Sequence, residues 1–444
     1  HKPFFALGMW RGARIEMVPK IHMERPFLRT KIVSEDIAKL HLSVELFVNS
    51  HSLEYQLHPW HETQISNYSN IKLAPDKEII PEELELQIEF EISGNVEFSE
   101  KMEVLSLKGR SWIEEEILLH NPKLWYPNGL GNPNMYNVKL SLLKNGKCID
   151  DINFSYGIRT IEQVPSAGPR TGDRWKNWQF VVNNREFFVK GINWMPSDPL
   201  YDFTKEKYEW LIHTAAKAEI QMIRIWGGGL FETEEFYDAC NRHGIMVWQD
   251  FPKNNNVTPD WPQDTWEANV VQNIIRLRNH PSLAVWCGGN EFNPYAKQNA
   301  TTLNILERSL DDFDPTRLWL RTSPDHGSTH LYPDFDPVWY KKELNIVPYI
   351  AETGIHSIPE AISLYEVVEE SEFQNLGDMY NEGFAENHPE FIYHFMEYSP
   401  GRVPRMLSRA SHINDMSNPT LESMSEATQI GAGEFYQVMS DGIQ

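Results

Sequence analysis

A chain of 444 residues exceeds one ordinary domain, and 41% apolar with 12% aromatic residues is enough for a large core. The formal net charge of −23 argues against nucleic acid and anionic membrane surfaces as partners, since both demand basic patches. Three scattered cysteines, Cys148, Cys240 and Cys287, suit neither a disulfide framework nor a zinc site, and no metal or other cofactor is expected. No run reaches the 18 or so apolar residues of a membrane span, and the first residues carry no signal-peptide pattern. The sequons at Asn67, Asn256 and Asn299 leave the compartment open, with secreted, periplasmic and lysosomal settings all compatible, and oligomeric state is not legible. Fifteen tryptophans suit sugar stacking, but core filling accounts for them at least as well.

Along the chain, residues 1–28 hold a short glycine-turned strand pattern that reads as the tail of a preceding domain. From Arg29 to about residue 165 the runs "KLHLSVELFVN", "LELQIEFEI", "SWIEEEILL" and "YNVKLSLLKNG" alternate apolar and polar residues between polar or Gly/Pro breaks. That spacing predicts an immunoglobulin-like β-sandwich over 29–165. "VPSAGPRTGDRWKN" reads as a linker. After it the texture changes: apolar runs ("EFFVKGINWM", "QMIRIW", "IMVWQDF", "SLAVWCGG", "RLWLRTS", "VPYIAE") alternate with amphipathic helical ones, first from Lys205 to Glu219. Repeated βα units over 178–444 predict a (β/α)8 TIM barrel rather than an open sheet. The last segment, "QIGAGEFYQVMSDGIQ", reads as a helix before a final strand that is not in the sequence, so the barrel reads as truncated there. The acidic run "YEVVEESEFQN" reads as a solvated helical face.

In such a barrel the polar residues at strand C-termini share one mouth. They are Asn193 and Trp194; Arg224 and Trp226; Gln249 and Asp250; Asn290 and Glu291; Ser323, Asp325 and His326; and Glu352. Glu291 and Glu352 directly end apolar strands. Two opposed carboxylates can cleave a glycosidic bond, one as a protonated donor and one as an ionised nucleophile. The competing explanation is that both are solvated or paired for structure with a residue such as Arg224, and spacing alone leaves the two readings about even. Gly288 and Gly289 are expected to thin the strand end so that a sugar ring can approach. "GGG" at 227–229 reads as backbone room beside Trp226 rather than an anion nest, and it lacks the lysine of a phosphate loop.

"HPSLAVWCGGNEFNP" with "IRIWGGGLFETEEFYDACNRHGIMVWQDF" closely resembles glycoside hydrolase family 2. "FFVKGINWMPSD", "WGGGLFE" and "GIMVWQDF" are most similar to its β-mannosidase branch. "LWYPNGLGNPNMYNVKLSLL" with "YGIRTIE" resembles the end of the family's immunoglobulin-like domain, and "GMWRGARIEM" the closing strand of its N-terminal jelly-roll. The resemblance implies a retaining β-glycosidase acting on an oligosaccharide or glycoside, with Glu291 the general acid/base and Glu352, in "IAETG", the nucleophile. Their carboxyls should then lie about 5–5.5 Å apart. It further implies that Asn290 binds the sugar beside the nucleophile, that Trp194, Arg224 and Trp226 line its subsite with Glu232 a further candidate, and that Asp198 contacts hydroxyls. Either His330 or Tyr332 is expected to reach Glu352. The branch's β-mannosidases need no metal. Endo-β-mannosidase, exo-β-glucosaminidase and a non-catalytic carbohydrate-binding relative remain alternatives.

Overall fold

The computed structural model describes residues 15–48, 83–104, 109–165, 178–198, 201–255, 262–325, 327–332, 339, 342, 349–397 and 401–443. The linker segment 166–177, His326 and residues 1–14 therefore lie outside the described residues. The chain divides into two compact units, one holding residues 1–166 and 178–326, the other 167–177 and 327–444.

In the first unit, seven strands build two antiparallel sheets. β1 (Ile21–Val33), β2 (Ile37–Val48) and β5 (Gly109–His120) form one, in the order β1-β2-β5; β3 (Leu84–Ile92), β4 (Asn95–Val104), β6 (Tyr136–Lys144) and β7 (Lys147–Tyr156) form the other, in the order β4-β3-β6-β7. Strict alternation is the cause: Leu40, Leu42, Val44 and Leu46 of β2 share one core with Leu86, Ile88 and Phe90 of β3 and Val138, Leu140 and Leu142 of β6, while the residues between them turn outward. The first strand starts at Ile21, ahead of the boundary read at Arg29, because Ile21 to Glu24 already pair with Val48 to Glu45. The edge strand β4 buries only its last residue, Val104, with Phe98 and Met102 partly buried against the core.

A small antiparallel sheet of β8 (Ile161–Pro165), β9 (Trp178–Val182) and β10 (Arg185–Phe187) precedes the βα region. There β11 (Gly191–Trp194), β12 (Met222–Ile225), β13 (Met246–Asp250), β14 (Leu283–Cys287) and β15 (Leu318–Leu320) pair in parallel, each with the next. The connecting helices are α1 (Lys205–Lys217), α2 (Glu234–His243), α3 (Gln263–Leu277) and α4 (Ala300–Phe313). α1 starts where the Thr204 hydroxyl accepts the Lys207 N–H, and α2 stops at Gly244 in the left-handed conformation. Each residue of β12, β13 and β14 is buried, as expected of strands covered on both faces.

The second unit contains the parallel pair β16 (Ser328–His330) and β17 (Tyr349–Glu352) and the helices α5 (Arg402–Ala410) and α6 (Leu421–Ile443). Phe435 and Met439 of α6 pack with Leu331 and Ile350 beside the two strands. The acidic run is not one solvated helical face. It breaks into short turns in which Phe373 is buried and the buried Glu372 accepts the N–H groups of Glu390 and Phe391, so part of its charge caps a neighbouring helical turn. No helix among the described residues is long and apolar enough to cross a membrane.

Within the first unit, sandwich and parallel sheet are joined by buried hydrogen bonds. The Trp125 indole N–H donates to Asn241 O at 2.8 Å, and Asn183 Nδ2 donates to Trp125 O at 2.9 Å. Trp125→Phe strands a buried carbonyl and should lower unfolding stability by about 1–3 kcal/mol, read as a lower urea midpoint. An unchanged midpoint would show that this junction is not bearing load.

Candidate active site

The first unit assembles its strand ends around one buried guanidinium. Arg224 is the penultimate residue of β12, and in parallel register it faces Asn193 on one side and Trp248 on the other; Asp250 lies two residues beyond Trp248, hence on the same face. Arg224 donates from Nη2 to Asp250 Oδ2 at 2.6 Å and to Asn290 Oδ1 at 2.8 Å, from Nε to Asp250 Oδ1 at 3.3 Å, and from Nη1 to Asn193 Oδ1 at 3.1 Å. Asp250 also accepts from the Trp248 indole at 3.0 Å and from the Gly227 N–H at 3.0 Å. Arg224 is 3% and Asp250 1% exposed, so the pair is desolvated and its worth depends on all of these bonds being made. Arg224 thus acts as the tie among strands β11 to β14, not as an open wall of a sugar pocket.

Asn290 is held at every polar group. Its Oδ1 accepts from Arg224, its Nδ2 donates to Asn254 Oδ1 at 2.9 Å, its N–H donates to Lys253 O at 2.8 Å, and its carbonyl accepts from the Asn255 N–H at 2.8 Å. Glu291 follows, exposed, with φ +48°, and its N–H donates to Ser323 O at 2.7 Å. Left-handed φ costs a non-glycine residue about 1–3 kcal/mol, which the flanking bonds must impose.

The glycines have a different reason from the one read in the sequence. A Cβ on Gly288 would meet Arg321 O at 2.1 Å, and one on Gly289, at φ +140°, would meet Lys253 O at 2.4 Å. Neighbouring backbone, not a ligand, fills that space. The reading of the 227–229 glycines as room beside Trp226 agrees with the packing: a Cβ on Gly228 would fall 2.0 Å from Trp226 Cη2. Trp226 is half-buried, whereas Trp194 is 8% exposed, packs on Phe236 and donates its indole N–H to Glu232 Oε1 at 2.8 Å. Glu232 also accepts from the Tyr208 hydroxyl and is fully buried, so it anchors Trp194 from behind. Burial, and then the Glu232 charge, push the Tyr208 hydroxyl well above its usual pKa and keep it a donor. Asp198 pairs with Lys207 Nζ of α1 at 2.9 Å.

Sequence reading missed Lys253 and Asn254, which lie in a loop without periodicity. Lys253 is buried with Nζ 4.0 Å from the Phe292 ring centre, and burial lowers its pKa to about 8. The Arg224–Asp250 tie was legible in principle, because opposite charges ending successive apolar strands are candidates to pair.

In the second unit both proposed partners reach Glu352. His330 Nδ1 lies 3.1 Å from Oε2, and the Tyr332 hydroxyl donates to Oε1. Register does this: β16 sets His330 opposite Glu352, and the Leu331 N–H donates to Glu352 O at 2.8 Å. The choice between His330 and Tyr332 therefore resolves to both.

Two family models match the chain, "Glycosyl hydrolases family 2" over residues 21–159 and "Glycosyl hydrolases family 2, TIM barrel domain" over 174–344. The chain belongs to the glycosyl hydrolases of family 2. In this family 2 chain the first match spans the sandwich and the second the parallel strands β11 to β16, so a sandwich is followed by a TIM barrel domain. Among relatives, β-mannosidase B of Emericella nidulans is 30% identical over 68% of the chain and 36% of that protein. β-Mannosidase B of Aspergillus flavus is 28% identical over 81% of the chain and 45% of its own length. In fold, the chain is similar to the crystal structure of a β-D-mannosidase from Dictyoglomus thermophilum, with TM-score 0.74, 21% identity, 96% of this chain and 49% of that one covered. An exo-chitosanase from Amycolatopsis orientalis matches with TM-score 0.65 and 16% identity over 96% and 47%. The chain thus spans less than half the length of each of these proteins.

Removing one side of the buried pair should leave the other charge buried and unpaired, so the two losses should not add. Asp250→Leu or Arg224→Met alone should destabilise by about 3–5 kcal/mol, and the double substitution by clearly less than their sum, in denaturant titrations. Additive losses would show that the two side chains do not act as a pair.

Proposed function

We propose that the chain carries the catalytic machinery of a retaining β-glycosidase acting on terminal β-mannosidic bonds. The observation that carries this reading is the treatment of the two strand-ending glutamates. One is exposed just beyond the end of β14, in left-handed backbone next to a fully bonded asparagine, and the other is held by a histidine and a tyrosine. Membership of family 2 supports hydrolase chemistry, and β-mannosidase B relatives at 28–34% identity support the mannoside.

In this mechanism Glu291 protonates the glycosidic oxygen while Glu352 attacks the anomeric carbon, giving a glycosyl ester with inverted configuration. Glu291 then takes a proton from water, which displaces Glu352 with a second inversion. The Tyr332 hydroxyl and His330 orient the Glu352 carboxylate for in-line attack, and Asn290, fixed by Arg224 and Asn254, offers its amide edge beside the acid. Trp226 is the aromatic wall best placed by its exposure, with Asp198 the hydroxyl-binding candidate. Trp194 and Arg224 support the site from behind. Of the units read in the sequence, a jelly-roll remnant over 1–28, a sandwich over 29–165 and a barrel over 178–444, the order is retained as the proposed organisation, with the sandwich extended back to Ile21 and the jelly-roll remnant cut back to end before it.

Azide separates the two roles. Glu352→Gly should abolish turnover of an aryl β-mannoside, and azide should restore it with an α-mannosyl azide as product. Glu291→Gly should slow turnover about 10²–10⁴-fold on leaving groups that need protonation, with azide giving the β-mannosyl azide. Azide products of swapped configuration would exchange the assignments. Unchanged activity in either variant would remove that residue from the mechanism.

A further inference from the structure

A cavity lies within the first unit, at the opposite end of the parallel strands from Glu291. It has a volume of about 220 Å³ and is walled by β1, by residues 156–162 and by the segments leading into β14 and β15. Its charged lining is Arg29, Lys31, Arg159, Arg317 and Glu162. Four cations meet one carboxylate, in a chain whose net charge is −23. Among the described residues, only Arg317 of these four has a carboxylate at contact distance, Asp314 at 2.8 Å.

Arg159 is the unusual member. It is 8% exposed, and its Nε and Nη2 donate to the backbone carbonyls of Pro281 and Leu283, leaving Nη1 without a hydrogen-bond partner among the described residues. Two carbonyls orient a guanidinium but do not neutralise it. Burial, with Arg317 as the next contributor, lowers its pKa to about 9, far below that of an ordinary arginine. Arg29 adds charge nearby and donates to His41 Nδ1 at 2.7 Å, again a neutralising partner only in name, since burial and then Arg29 itself push His41 toward its uncharged form. The Tyr156 hydroxyl, bonded to Thr30 Oγ1 at 2.8 Å, adds a polar wall. A buried, oriented and uncompensated cation facing a cavity is the arrangement that binds oxyanions, because the desolvation cost has already been met in folding.

We propose that this cavity, where β1 and Arg159 meet the entry to β14 and β15, binds a phosphate or sulfate group, free or carried on a small molecule. The volume equals that of about seven liquid-water molecules, so an oxyanion leaves room for a small organic body. Binding there would brace the Pro281–Leu283 segment that starts β14, whose other end carries Asn290 and Glu291.

Calorimetric titration of the full chain with inorganic phosphate, at constant ionic strength made up with sodium chloride, tests this directly. Saturable binding is expected, weakened about tenfold by Arg29→Gln or Lys31→Gln and tightened by Glu162→Gln. Arg159 is left intact because it also holds backbone. Glycerol 3-phosphate binding more tightly than phosphate supports a monoester ligand, and the reverse order supports the free anion. Absence of saturable heat, or affinity indifferent to all three substitutions in variants with unchanged thermal midpoints, overturns the proposal.

Discussion

Everything placed at the C-terminal ends of β11 to β14 depends on one buried ion pair, Arg224 with Asp250. A buried pair of this kind contributes little net stability, since the cost of stripping water from two charges roughly cancels their attraction. What it supplies is geometry. A planar guanidinium with fixed donor directions can satisfy Asp250, Asn193 and Asn290 only if three neighbouring strand ends stand in one arrangement. An apolar cluster of equal volume would hold the strands together without saying where Asn290 must point.

The left-handed backbone of Glu291 follows from that constraint. Asn290 is fixed through Lys253, Asn254, Asn255 and Arg224, and Glu291 itself through Ser323, all from other segments of the chain. Strain of the order of 1–3 kcal/mol is stored at the residue assigned to proton transfer, and it persists because the surroundings leave no alternative. The second carboxylate is handled by other means. Glu352 lies in ordinary strand conformation, and register alone brings His330 opposite it, with Tyr332 two residues further on.

Much of this was legible in the sequence because it is periodic. The alternation of "LELQIEFEI" fixed both the strand and its inward face, and the change from period two to alternating apolar and amphipathic runs marked the start of the βα units. Strand-end placement singled out Asn290, Glu291 and Glu352. Three kinds of information were not legible. Strand β4 keeps Phe98, Met102 and Val104 on one face but breaks the alternation at Glu100 and buries only Val104 fully, so its pattern is weak. The purpose of Gly288 and Gly289 depends on Arg321 and Lys253 carbonyls that are distant in the sequence. The division of the aromatic and basic candidates into open and supporting residues depends on burial: Trp194 and Arg224 turn inward to Glu232 and Asp250, while Trp226 does not.

The central claim is that the Arg224 network positions Glu291 for proton donation, and leaving-group dependence tests it most directly. Arg224→Lys keeps the charge but loses the fork that reaches Asp250, Asn193 and Asn290 together. Its kcat/KM should be measured across aryl β-mannosides whose phenols span a wide pKa range. The account predicts a loss that grows with phenol pKa, about 10²-fold or more for the poorest leaving groups and close to none for dinitrophenol. A loss of the same size across the series would contradict it, placing Arg224 in substrate binding or general folding instead.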